Sequence, residues 1–120
     1  MGKNIIQEKS YNFAVDVIKT YQNLKKEHHE YDLFRQFLRS GTSIGANIQE
    51  AGSAQSKKDF LSKVYISFKE ARETLYWINL LTDTSYLNPS LSNNLKRKCE
   101  ELIRILSSIT KTTSDSIKNS

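Results

Sequence analysis

Residues that bend or cross-link a chain are scarce here, with one proline, four glycines and one cysteine among 120 residues. An all-β protein needs turn material every few residues, so this scarcity argues against strands. Cys99 has no second cysteine to pair with, which excludes an internal disulfide and makes a reducing, cytoplasmic compartment the expectation. No stretch has the length and apolarity of a signal peptide or a membrane span, so no membrane contact is expected. Histidine is limited to His28 and His29. On a helix these neighbours point about 100° apart and cannot chelate one metal as an i, i+4 pair could; a solvated helix end is their expected place. A glycine-rich phosphate loop, a metal-binding helix motif and a nucleophile–base pair are also missing. Catalytic residues, cofactors and metal ions are therefore not expected.

What remains is apolar residues at helical spacing. The hydrophobic fraction is 38% and aromatics make up a tenth of the chain, so a core must be concentrated on narrow stripes. Phe34, Phe37, Gly41, Ile44, Ile48 and Ala51 step by three and four, which keeps them on one side of an α-helix. Leu61, Val64, Phe68, Ala71, Leu75 and Ile78 repeat the stepping. Ser56 followed by Asp59 resembles a capping box that opens this second pattern. Upstream, Phe13, Ala14, Val17, Ile18, Tyr21 and Leu24 share a face. Downstream, Asn88 and Pro89 read as an N-cap with proline at the first helical position, followed by Leu91, Leu95, Cys99, Leu102, Leu106 and Ile109. The expectation is an all-α, antiparallel up-and-down four-helix bundle spanning residues 10–112, with helices at about 10–28, 31–52, 57–82 and 89–112. Residues 1–9 are expected to form a loose lead-in and 113–120 a frayed tail.

Gly41 and Gly45 lie inside the second helix, each costing up to about 1 kcal/mol against alanine. Either another helix approaches closely there, or the helix breaks near Gly41. Arg39, Ser43, Asn47 and Glu50 flank the same stripe and need hydrogen-bond partners. Arg39 with Glu70 or Glu73, and Glu50 with Lys63 or Arg72, are the pairings expected across the hairpin, forming a structural polar network. The third helix carries Tyr65, Ile66, Tyr76, Trp77 and Leu80 beyond its seam. That surplus is a candidate subunit interface, or else it is covered by the terminal segments.

Formal charge is +5, and residues 88–120 hold six Lys or Arg against three Asp or Glu. Arg97, Arg104, Lys111 and Lys118 fall seven apart and form one exposed basic line, a candidate nucleic-acid-binding surface. Glu101 lies between Arg97 and Arg104 and is expected to pair with them. Two functions fit: an accessory module binding RNA or DNA through phosphates, or a scaffold with a protein partner.

The residues RSGTSIGANIQEA at 39–51, then Ser56, Lys58, Asp59 and Phe60, then Glu70 and Glu73, resemble the bacterial four-helix bundle family also called the 23S rRNA intervening-sequence protein family. Its pattern matches at Arg39, Ser40, Ser43, Ile44, Asn47, Ile48 and Glu50. The chain differs from many members in placing Ala51 after Glu50 and in having no arginine before Lys57. The resemblance implies an up-and-down bundle assembling into a cyclic homo-oligomer, usually a pentameric ring. It also implies kinship with an accessory protein of diversity-generating retroelements that binds a reverse transcriptase and nucleic acid.

Overall fold

The computed structural model describes residues 2–119, with side chains from Ile5 onward; Met1 and Ser120 lie outside the described residues. Four helices follow one another: α1 (Gly2–Glu27), α2 (Tyr31–Ala51), α3 (Lys57–Asp83) and α4 (Pro89–Lys118). No strand occurs among the described residues. Short connections force each helix to run against its predecessor, giving an up-and-down bundle 52 × 21 × 21 Å in extent. Each helix packs on its chain neighbours, and α1 closes the square against α4 through the sparsest seam.

The start signals behave as their chemistry dictates. Ser56 Oγ accepts the Asp59 amide at 3.0 Å, and Asn88 Oδ1 accepts the Leu91 amide at 2.8 Å, each satisfying an orphan donor of the first turn. The helix ends differ from expectation. α1 begins at Gly2, not Ser10, because Ile6 and Ser10 are buried and extend the stripe of Phe13, Val17 and Leu24 by two turns. α4 runs to Lys118, not 112, and its Ser/Thr-rich end is held in part by Lys57 donating to Ser116 at 2.9 Å.

The expected α2 stripe is buried throughout, joined by Ser40. The α3 stripe is not centred where apolar counting puts it. Val64, Ser67, Ala71, Thr74, Ile78 and Leu81 are buried, whereas Leu61, Phe68 and Leu75 are half-buried on the flank. Hydroxyls occupy the centre because the backbone satisfies them: Ser67 Oγ donates to the Ile44 carbonyl of α2 at 2.8 Å, and Thr74 Oγ1 to the Glu70 carbonyl at 2.7 Å. Small side chains there let α2 and α3 approach closely. In α1, Ile18 is exposed rather than in the core.

α2 is unbroken at Gly41, which settles that position in favour of close approach. A Cβ on Gly41 would meet both Val17 methyl carbons at 2.8 Å, and one on Gly45 would lie 3.4 Å from the Ser10 carbonyl oxygen and Oγ. The two glycines are where α1 crosses α2.

Candidate nucleic-acid interface

All four residues of the basic line are exposed on α4. Spaced by seven at about 1.5 Å per residue, they run roughly 30 Å along the bundle. They do not share one groove. Seven residues fall about 20° short of two full turns, so the line drifts around a straight helix. Arg97 opens onto the α1–α4 groove beside Asn12 and Asp16, whereas Lys111 and Lys118 line the α3–α4 groove beside Phe68.

Neutralisation of this line is slight. Glu101 does not pair with Arg97 or Arg104; it pairs with Lys9 of α1 at 3.2 Å, while Lys98 is engaged by Asp16 at 2.6 Å. These two ion pairs span the sparse α1–α4 seam and engage both carboxylates there, although Arg97 lines the same groove. Among the described residues, Arg97, Arg104 and Lys118 have no carboxylate within ion-pair distance, and Lys111 has only Asp115 at 3.6 Å. Arg97 donates instead to Asn94 at 2.8 Å.

The α2–α3 polar network forms in part. Arg39 donates to Glu70 at 3.1 Å and to Glu73 at 2.6 Å, and Lys63 meets Glu50 at 3.4 Å. The Trp77 indole N–H adds a second donor to Glu73 at 3.0 Å. That hydrogen bond, together with the Arg39 guanidinium, holds the Glu73 carboxyl below its ordinary value against partial desolvation. Glu70 Oε1 is buried and accepts no hydrogen bond among the described residues. Ser43 and Asn47 do not bridge the hairpin. Ser43 donates to the Arg39 carbonyl at 2.6 Å and Asn47 to the Ser43 carbonyl at 2.8 Å, both one turn back on their own helix. Arg72 turns the other way and lies over the Phe68 ring.

In the candidate subunit interface the Tyr76 ring meets that of Trp77 edge-on, with centroids 5.0 Å apart. Trp77 bonds Glu73 on the α2 side, with Ile66 and Leu80 also half-buried. Tyr65 and Tyr76 are 47% and 58% exposed, and Tyr65 stacks on Phe68 toward α4. Sequence reasoning missed further exposed apolar groups on α1, where Tyr11 is 69% exposed beside a groove lined by Gly45 and Ile18 is 41% exposed beside a second groove lined by Tyr21 and Leu38. Tyr11 was outside every stripe, and only the register of Ile18 relative to Val17 could have flagged it.

His28 is half-buried rather than solvated, edge-on to the rings of Tyr86 at 4.8 Å and Phe34 at 6.1 Å. No cluster of three His, Cys, Asp or Glu able to hold a metal occurs among the described residues. Among the described residues, no helix is long and apolar enough to cross a membrane. Cys99 is buried, its thiol donates to the Ala71 carbonyl at 3.2 Å, and burial pushes its pKa up to about 12.

The arrangement has counterparts among known proteins. A crystal structure of a protein of unknown function from the S23 ribosomal protein family of Bacteroides thetaiotaomicron superposes with a TM-score of 0.89 at 43% identity, covering 92% of this chain and 99% of that one. Among curated proteins nothing matches. The family model described as 23S rRNA-intervening sequence protein matches residues 2–108, almost the whole bundle. The chain belongs to the 23S rRNA-intervening sequence protein family.

Proposed function

We propose that this protein is a non-enzymatic, cytoplasmic accessory module that assembles into a cyclic homo-oligomer, a pentameric ring, and binds RNA or DNA through phosphate contacts. The observation that carries the reading is the exposed line Arg97, Arg104, Lys111 and Lys118, of which only Lys111 has a carboxylate within ion-pair distance among the described residues, while Glu101 is engaged by Lys9. Phosphate contact is the chemistry such a line performs best, and it needs no base-reading element. Repetition around a ring multiplies weak contacts into useful avidity.

The test is binding of an RNA fragment at two salt concentrations. Four phosphate contacts per protomer predict that affinity falls roughly 50- to 150-fold between about 50 and 200 mM salt, and more steeply for a ring. Binding indifferent to salt, or none at low salt, would defeat the reading. Light scattering gives the subunit number independently.

A protein-interaction scaffold is favoured by one different observation, the exposed apolar groups Tyr11, Ile18 and Tyr76. A protein partner that co-purifies after nuclease treatment would select it.

A further inference from the structure

The α3–α4 face carries more than charge. Tyr65 is 47% exposed and contributes nothing to the sealed core. Its ring stacks on Phe68 one turn further on, with centroids 6.1 Å apart and planes inclined by 26°. Two cations attend these rings: Lys69 Nζ lies 5.4 Å from the Tyr65 centroid, and the Arg72 guanidinium carbon 6.0 Å from that of Phe68. Phe68 then forms the wall of an open groove of about 370 Å³ whose other side presents Lys111 and Lys118. Thr110 Oγ1, on the same groove, is buried and makes no hydrogen bond among the described residues. Lys69 and Arg72 thus attend the stacked rings while Lys111 and Lys118 line the groove that Phe68 walls, with Asp115, paired to Lys111, the one carboxylate lining it.

We propose that this face binds single-stranded nucleic acid, with a base stacked on Tyr65 and the flanking phosphates held by Arg72, Lys111 and Lys118. The proposal rests on the nucleic-acid reading above and narrows it. A duplex keeps its bases stacked on one another and offers the surface only phosphates, for which the tyrosine has no use. An unpaired base has an open π-face that adds to the stack whatever its identity. Lys69, on a flexible and exposed stem, moves from the ring it covers to the phosphate of the arriving nucleotide. An acidic protein segment would satisfy the cations and leave the rings idle.

The experiment uses the full chain with labelled oligouridine and oligothymidine strands, a duplex of matched length and polyglutamate of matched charge, followed by fluorescence anisotropy. At least one strand is expected to bind more tightly than the duplex. Tyr65→Ala is expected to weaken strand binding about tenfold and leave duplex binding unchanged, and Tyr65→Phe to stay within about twofold of the parent. Lys111→Ala with Lys118→Ala is expected to weaken both and to flatten the salt dependence. Tyr65 is exposed, so its variants are expected to melt as the parent does. Duplex or polyglutamate binding as tight as strand binding overturns the proposal, as does a Tyr65→Ala variant with parental strand affinity. Failure of every nucleic acid to bind at low salt removes the parent reading as well, so the two failures are distinct.

Discussion

The crossing of α1 over α2 allows a prediction in which two chemically identical substitutions have opposite signs. Replacing a mid-helix glycine by alanine gains about 1 kcal/mol of helix propensity. At Gly45 that gain meets little opposition, because the new Cβ would sit 3.4 Å from the Ser10 carbonyl oxygen, an ordinary contact. Gly45→Ala is therefore expected to stabilise by up to about 1 kcal/mol. At Gly41 the new carbon would lie 2.8 Å from both methyl carbons of Val17, which is fully buried. A β-branched side chain in a helix has one strongly preferred χ1, so Val17 cannot turn aside. Overpacking costs about 1–3 kcal/mol, leaving a net loss of about 0–2 kcal/mol.

Urea unfolding followed by far-ultraviolet circular dichroism, at one fixed protein concentration so that assembly is held constant, reads both values. The melting temperature should rise by about 4 °C for Gly45→Ala and fall by a similar amount for Gly41→Ala. Val17→Ala combined with Gly41→Ala isolates the contact: the double variant should be more stable than the sum of the singles by about 1 kcal/mol or more. If Gly41→Ala stabilises as much as Gly45→Ala, the close approach is not what the glycine serves.

Cys99, with its thiol pushed up to about 12, should resist Ellman's reagent in the native protein and react at once in denaturant. Trp77 is the sole tryptophan and is hydrogen-bonded to Glu73, so its fluorescence should titrate with the Glu73 carboxyl. The folded pKa lies below the ordinary value near 4.5, so Glu73 adds stability above that pH and loses it as pH falls through the folded value; Glu73→Gln should abolish the fluorescence transition. Ser85 takes a positive φ of 69° in the α3–α4 turn, so Ser85→Gly should stabilise by about 0.5–1 kcal/mol in the same urea assay. Lys9→Ala should free Glu101 to swing toward Arg97 or Arg104 and reduce the salt slope of RNA binding by about one, whereas Lys19→Ala, equal in charge, should not.

The helices were legible to the extent that their buried centres are apolar. α2 could be read in full, since every buried position but Ser40 belongs to the stripe, and glycine at position 41 signalled its own purpose. In α3 the same counting slid one flank over, because Ser67 and Thr74 look polar in a list and behave as small, internally satisfied core residues in a helix. Ser10 hid the start of α1 in the same way. For the polar residues, long side chains obeyed the helical wheel: Arg39 reached Glu70 and Glu73 as spacing required. Short ones did not, since Ser43 and Asn47 have a backbone carbonyl one turn back that is nearer than anything across the hairpin. The choice of Glu101 between Arg97, Arg104 and Lys9 depends on how α1 sits against α4, which no single-helix pattern encodes.

That choice connects the way the bundle closes to the surface it presents. The α1–α4 seam is the sparsest of the four, and two ion pairs span it, Lys9 with Glu101 and Lys98 with Asp16. Each pair is only about half-shielded from water and contributes little to stability, on the order of 1 kcal/mol or less. Its larger effect is on where charge faces. Glu101 sits between two arginines on the outer side of α4, and with the ordinary i, i+4 pairing it would have cancelled one of them. Drawn toward Lys9, it leaves Arg97 and Arg104 facing solvent. Asp16 likewise consumes Lys98, a cation already turned into the seam, and spares the outward ones. A seam closed by apolar side chains would have packed better and left Glu101 to its helical neighbours. The way α1 closes on α4 thus decides which cation Glu101 meets.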